Sequence, residues 1–168
     1  MNRTITRETI EYLSKISEGS MRQAITYLEK IMSYSEEITI DTALDALGNY
    51  SYETLFRLVN SIIDGNEADI ITILDSFYNA GNDLKLFVDT FLSFCLDVSK
   101  YSIFKNLNMT KIPSNMETQL QNSINFDNAT QYYNYLLDRL LNLKQMLRND
   151  SCVKDTITIS FLQMARCQ

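Results

Sequence analysis

One arrangement in this 168-residue chain has residue types and spacing suited to a specific chemistry, the holding of an anion. It is the run Gly19-Ser20-Met21-Arg22-Gln23-Ala24. Gly19 fits the position just past a helix C-terminus, where a left-handed backbone is needed. Ser20 fits the N-cap of a new helix, and Gln23 three residues later completes a Ser-x-x-Gln capping box. Arg22 then falls at the second helical position, where the macrodipole is positive and a cation is unfavourable. An anion held between its guanidinium and the free N–H groups of the helix start reverses that penalty, so the geometry suits a phosphate. The plain alternative is a surface pairing of Arg22 with Glu18, worth under about 1 kcal/mol.

Other chemistry is poorly represented. The chain has no histidine, which removes the commonest general base and the commonest metal ligand. Cys95, Cys152 and Cys167 share no zinc-type spacing. They are read as buried or indifferent thiols in a reducing cytosol, and no metal site is expected. No phosphate-binding Gly-x-x-x-x-Gly-Lys-[Ser/Thr] loop and no Gly-x-Ser-x-Gly elbow occur, so no catalytic residue is assigned. Net charge is −6, and the segments before and after Gly48 each carry −3. With no basic cluster, the chain is a poor candidate for gripping a nucleic-acid backbone by itself. The ten tyrosines invite a base-stacking role, but Tyr132, Tyr133 and Tyr135 fall on or beside an apolar helical stripe and are read as core. No signal-peptide form and no apolar run near ~18 residues occur, so a soluble cytoplasmic protein without a membrane partner is expected.

The elements that must position the Arg22 stretch read as helices. Gly19, Gly48, Gly65 and Gly81 each close a segment of helical period, and Pro113 is the only proline. Such a pattern predicts an all-α fold. A first helix spans 7–18, with Thr6 as N-cap, a staple between Ile5 and Ile10, and an apolar face of Ile10, Leu13 and Ile16. A second spans 21–32, with Ala24, Leu28, Ile31 and Met32 inward, and a third spans 40–47 behind Thr39. These three form a first unit, 1–48. The second unit, 49–168, begins with helices stopped at Gly65 and Gly81 and a long helix over 83–104 with Leu84, Phe87, Val88, Phe91, Cys95 and Val98 inward. A loop over 106–113, a short helix opened by a Ser114–Glu117 capping box and an amphipathic helix from Ala129 to Leu147 follow. The last segment alternates as Ile157, Ile159 and Phe161, a strand pattern, yet Val153, Ile157, Phe161 and Met164 also fit helical spacing. Helix is preferred because no other strand is available to pair with it.

Glu18 through Ala24, followed by Tyr27-Leu28-Glu29, resembles the Gly-Ser-Met-Arg-Asp-Ala motif of bacterial clamp-loader ATPases, the gamma/tau subunits of DNA polymerase III in the AAA+ class. Ile38-Thr39 through Gly48 is similar to the last lid helix of that family, and the later helices follow the order of its collar domain. The resemblance implies a small three-helix lid over 1–48 and a helical collar, the oligomerisation domain, over 49–168. It gives Arg22 the role of the sensor-2 arginine that reads the terminal phosphate of ATP, with Gly19, Ser20, Met21, Gln23 and Ala24 as motif support. Gln23 departs from the usual aspartate but can still close a capping box. The family's P-loop and Walker B acids lie upstream of the matched region, so a piece of a larger subunit is expected, not catalytic by itself because nothing on it holds magnesium. ATP would be bound through that upstream ATPase domain. The implied partners are sister clamp-loader subunits through the collar, with the sliding clamp and primed DNA reached only through the complete complex. The alternatives are a replication factor C-like or phage clamp-loader subunit, and a stand-alone all-helical interaction module with no nucleotide role.

Overall fold

The computed structural model describes residues 3–48 and 50–166. Cys167 lies outside the described residues, so the reading of its thiol does too. The described chain is all-α: nine α-helices with short 3-10 turns, no strand, and one isolated parallel bridge between Ile5 and Ile38. The helices are α1 (Arg7–Ile16), α2 (Met21–Tyr34), α3 (Ile40–Leu47), α4 (Tyr52–Ile63), α5 (Glu67–Asn79), α6 (Leu84–Phe104), α7 (Glu117–Asn122), α8 (Ala129–Met146) and α9 (Val153–Arg166).

The boundaries have local causes. All four glycines take φ between 67° and 82°, the left-handed backbone that ends a helix with least strain. Ser51, Asn66 and Asp83 each cap a helix by accepting a backbone N–H of its first turn. Thr39 and Thr42 form a full reciprocal capping box at α3. Two expected caps take other roles. Thr6 makes no cap bond, because its hydroxyl pairs with that of buried Thr9 at 2.7 Å. Ser114 does not cap either; its hydroxyl donates to Glu11 Oε2 at 2.9 Å, and a 3-10 turn precedes α7.

α1, α2 and α3 pack on one another around Leu13, Ile31, Ile38, Ala43 and Ala46. The bridge closes this group: Thr6 N–H donates to Ile38 O at 3.1 Å and Ile38 N–H to Thr4 O at 3.4 Å. The larger core belongs to α4–α9, with Tyr12 and Leu44 of the first group inserted into it. α6 and α8 form its most extensive helix pair, and α9 packs against α4, α5, α6 and α8. Phe87 and Phe91 face Phe161 with ring centroids 5.9 and 5.4 Å apart. Each such buried aromatic contributes about 1.5–3 kcal/mol from area alone. Ile157, Phe161 and Met164 are buried while Ile159 is 56% exposed, which is the helical rather than the strand spacing. Tyr133 is fully buried, its hydroxyl donating to Ser123 O at 3.0 Å, in keeping with a core residue and not a stacking platform.

Two details of the first group depart from expectation. α1 ends at Ile16, two residues early. Its buried face is Thr9, Tyr12 and Leu13, while Ile10 is 52% exposed. The Thr6–Thr9 hydroxyl pair satisfies Thr9 inside, which lets the helix bury Thr9 and turn Ile10 outward. Met32 of α2 is also partly exposed, and Ile31 alone is fully buried there.

Candidate functional site

The connection between α1 and α2 sets the site. Ser17 N–H donates to Leu13 O at 3.0 Å as the last helical bond of α1. Glu18 and Gly19 then both take positive φ, 48° and 82°, and reverse the chain within two residues. Gly19 meets the expectation of a left-handed residue, but Glu18 shares that work. Ser20 is extended and caps α2, accepting Gln23 N–H at 3.3 Å. The reciprocal bond from the Gln23 side chain is not formed, so only half of the expected capping box is present. Ala24 N–H donates to Ser20 O at 3.0 Å and begins the helical ladder.

Arg22 therefore sits at the second position of α2, in solvent. Its guanidinium has no hydrogen-bond or ion-pair partner among the described residues. The surface pairing with Glu18 does not form, because Glu18 turns to Lys111 at 3.7 Å. The first-turn N–H groups of Met21 and Arg22 also lack a protein partner, as the first donors of a helix do unless capped. The first turn of this 14-residue helix, its positive end, thus carries one cation and two amide donors without protein partners. Met21, 74% exposed, marks the mouth of an apolar groove of about 510 Å³ between α1 and α2, lined also by Ile5, Ile10, Ala24, Ile25 and Leu28.

A second polar centre lies behind α1, which the sequence reading missed. Lys15 Nζ donates to Ile112 O at 2.8 Å and, more distantly, to Leu107 O at 3.5 Å. Asp97 of α6, almost wholly buried, accepts Lys111 N–H at 3.1 Å. Burial raises the Asp97 carboxyl above the usual carboxylate range, opposed by the Lys111 N–H and by the charges of Lys100, Lys111 and Lys15. Desolvation lowers the Lys15 ammonium, opposed by Glu11 and Asp97. The signal available in sequence was a lone carboxylate on the stripe of Phe94, Val98 and Tyr101, where a charge must find partners. Both charged groups of this centre are bonded to backbone of the segment 107–112, which bears the marks of a structural junction.

No helix among the described residues is long and apolar enough to cross a membrane. In comparisons with known proteins, the DNA polymerase III subunit gamma/tau of Mycoplasma genitalium is 22% identical over 135 residues, covering 79% of this chain but 22% of that protein. The chain thus spans about a fifth of the length of that relative. The family model described as DNA polymerase III subunits gamma and tau domain III matches residues 38–153, from the bridge residue before α3 to the start of α9. With more than half of an all-helical chain matched, this chain belongs to the family of DNA polymerase III subunits gamma and tau, domain III.

Proposed function

We propose that the chain is the lid and collar of a clamp-loader subunit: residues 1–48 sense ATP and residues 49–168 assemble with sister subunits in the ring that loads a sliding clamp on primed DNA. The family membership and the name of the Mycoplasma genitalium relative support a role in the replicative polymerase assembly. The observation that carries the nucleotide part is Arg22, an exposed residue with an unpaired guanidinium in a first turn of α2 that also has two free amide donors. Such a corner binds an anion of high charge and small size, and the terminal phosphate of ATP has that chemistry. The ATP is held by the ATPase domain expected upstream in the complete subunit. Arg22 shifts the conformational balance only to the extent that it contacts ATP better than ADP.

Met21 and Ala24 line the apolar groove next to the arginine, while Gly19, Ser20 and Gln23 fix where the helix begins. The collar role draws on the α4–α9 group, whose buried core is the larger of the two. The test is ATP-dependent clamp loading by the complete subunit carrying Arg22→Ala. Loss of ATP-dependent loading with the fold intact is expected, and unchanged loading removes Arg22 from the mechanism.

A further inference from the structure

The α1 seam, where Glu11, Lys15 and Glu18 meet the segment 107–114, decides which cation Glu18 faces. Between Glu11 and Glu29 the sequence holds one carboxylate, that of Glu18. The cations within four residues of it are Lys15 and Arg22. Lys15 is already engaged, its ammonium donating to Ile112 O at 2.8 Å and to Leu107 O at 3.5 Å. That leaves Arg22 as the local partner for Glu18, across the turn between α1 and α2. Glu18 instead pairs with Lys111, far along the chain, at 3.7 Å.

Lys111 is held for that contact by its own backbone. Its N–H donates to Asp97 Oδ2 of α6 at 3.1 Å, and its carbonyl accepts the Tyr52 hydroxyl of α4 at 3.3 Å. Asp97 and Tyr52 are buried, as are Thr110 and Ile112 on either side of Lys111. Only the Lys111 side chain is left to reach out to the turn. On the other side, Glu18 takes φ 48°, a left-handed backbone uncommon for a residue with a Cβ. Glycine or asparagine would serve that turn with less strain, so a carboxylate there adds charge and not conformational ease.

We propose that Lys111 is a positioning residue for Arg22: by engaging Glu18 it keeps that carboxylate off the guanidinium and leaves the cation open to an anion. With Glu18 on the guanidinium, an arriving phosphate must first displace a charge-assisted bond. The Glu18–Lys111 pair is exposed, so its influence is modest and fades with salt. Its effect on clamp loading rests on the phosphate contact of Arg22 proposed above. The choice of partner by Glu18 does not, and the two are read separately.

The partner choice is tested by nuclear magnetic resonance on the isotope-labelled whole chain at low salt. The Arg22 Nε–H signal, identified by its loss in Arg22→Ala, reports whether the guanidinium is bonded. With Lys111 present, Glu18→Gln should leave that signal in place. Lys111→Ala should shift it and slow its exchange with water, and adding Glu18→Gln should reverse both changes. Lys111→Arg, which keeps the cation, should match the unsubstituted chain. A signal indifferent to Lys111→Ala, or one that Glu18→Gln shifts with Lys111 in place, overturns the proposal. In the complete subunit, Lys111→Ala should slow ATP-dependent clamp loading by about two- to fivefold, and adding Glu18→Gln should restore it. Loading that Arg22→Ala lowers but Lys111→Ala does not, or a Lys111→Ala loss that Glu18→Gln fails to restore, overturns the positioning role. If Arg22→Ala itself leaves loading unchanged while the signal behaves as expected, the phosphate reading falls and the partner choice of Glu18 stands.

Discussion

Arg22→Ala separates stability from function by sign. In the structure the side chain is exposed and unpaired, so its removal deletes no internal contact. It does remove a cation from the positive end of α2, where a misplaced charge costs about 0.3–1 kcal/mol at low salt. Alanine is also at least as good a helix former as arginine. The fold should therefore gain slightly, about 1–4 °C in Tm, taking roughly 2–4 °C per kcal/mol for a protein of this size. The gain should shrink in high salt as the dipole is screened. In the complete subunit the same substitution loses a charge-assisted bond to phosphate, about 1.5–3 kcal/mol, or roughly tenfold to hundredfold in the ATP-dependent step. Circular dichroism at two salt concentrations measures the first effect, and a clamp-loading assay measures the second. A Tm lowered by more than about 2 °C would show that Arg22 holds the structure together and would refute the reasoning. An unchanged loading rate would refute the phosphate contact.

Other outcomes follow from the core and the surface. Phe161→Ala empties the space facing Phe87 and Phe91 and should cost about 3–5 kcal/mol in urea unfolding; a loss under about 1 kcal/mol would mean that α9 does not dock as described. Asp69 is held below the usual carboxylate value by the Ser61 hydroxyl and then by Arg57. Its contribution is full above the unfolded value of about 3.9 and is lost as pH falls through the lower folded value, so Asp69→Asn should flatten the acid limb of the stability curve below about pH 4. A limb unchanged in slope would deny the Ser61–Asp69–Arg57 contact. In a Cys167→Ser background, exposed Cys152 should react with a thiol reagent in the native state. Buried Cys95, whose thiol is pushed up by desolvation, should react only on unfolding, and two fast thiols would contradict the packing of α6.

The helices were legible because their ends are written locally. A glycine with left-handed φ and a Ser, Thr, Asn or Asp cap each need only a few neighbouring residues, so α3, α4 and α6 fall where spacing places them. The choice of helix over strand for α9 rested on a tertiary argument, the lack of a pairing partner, and its buried Ile157, Phe161 and Met164 agree. Ile10 was misplaced because apolarity alone decided its face, whereas the Thr6–Thr9 hydroxyl pair rotates the buried side of α1 by one residue. The α1 seam was out of reach for a different reason: Lys15 and Ile112 are 97 residues apart, and no local pattern encodes such a meeting. At the candidate site, the cap and the exposed arginine were readable, while the diversion of Glu18 to Lys111 needed the folded chain.

The bridge between Ile5 and Ile38 has a practical consequence for anyone who cuts this gene. The family match begins at residue 38 and ends at 153, as α9 begins. A fragment trimmed to those limits would lack Ile5, α1 and α2 and leave Ile38 without its bridge partner. It would also discard Phe161 and Met164, uncovering the faces of Phe87 and Phe91 to water. The matched region is thus shorter than the described fold at both ends. A stable recombinant piece should start before Thr4 and run through α9, and the shorter piece should aggregate when expressed.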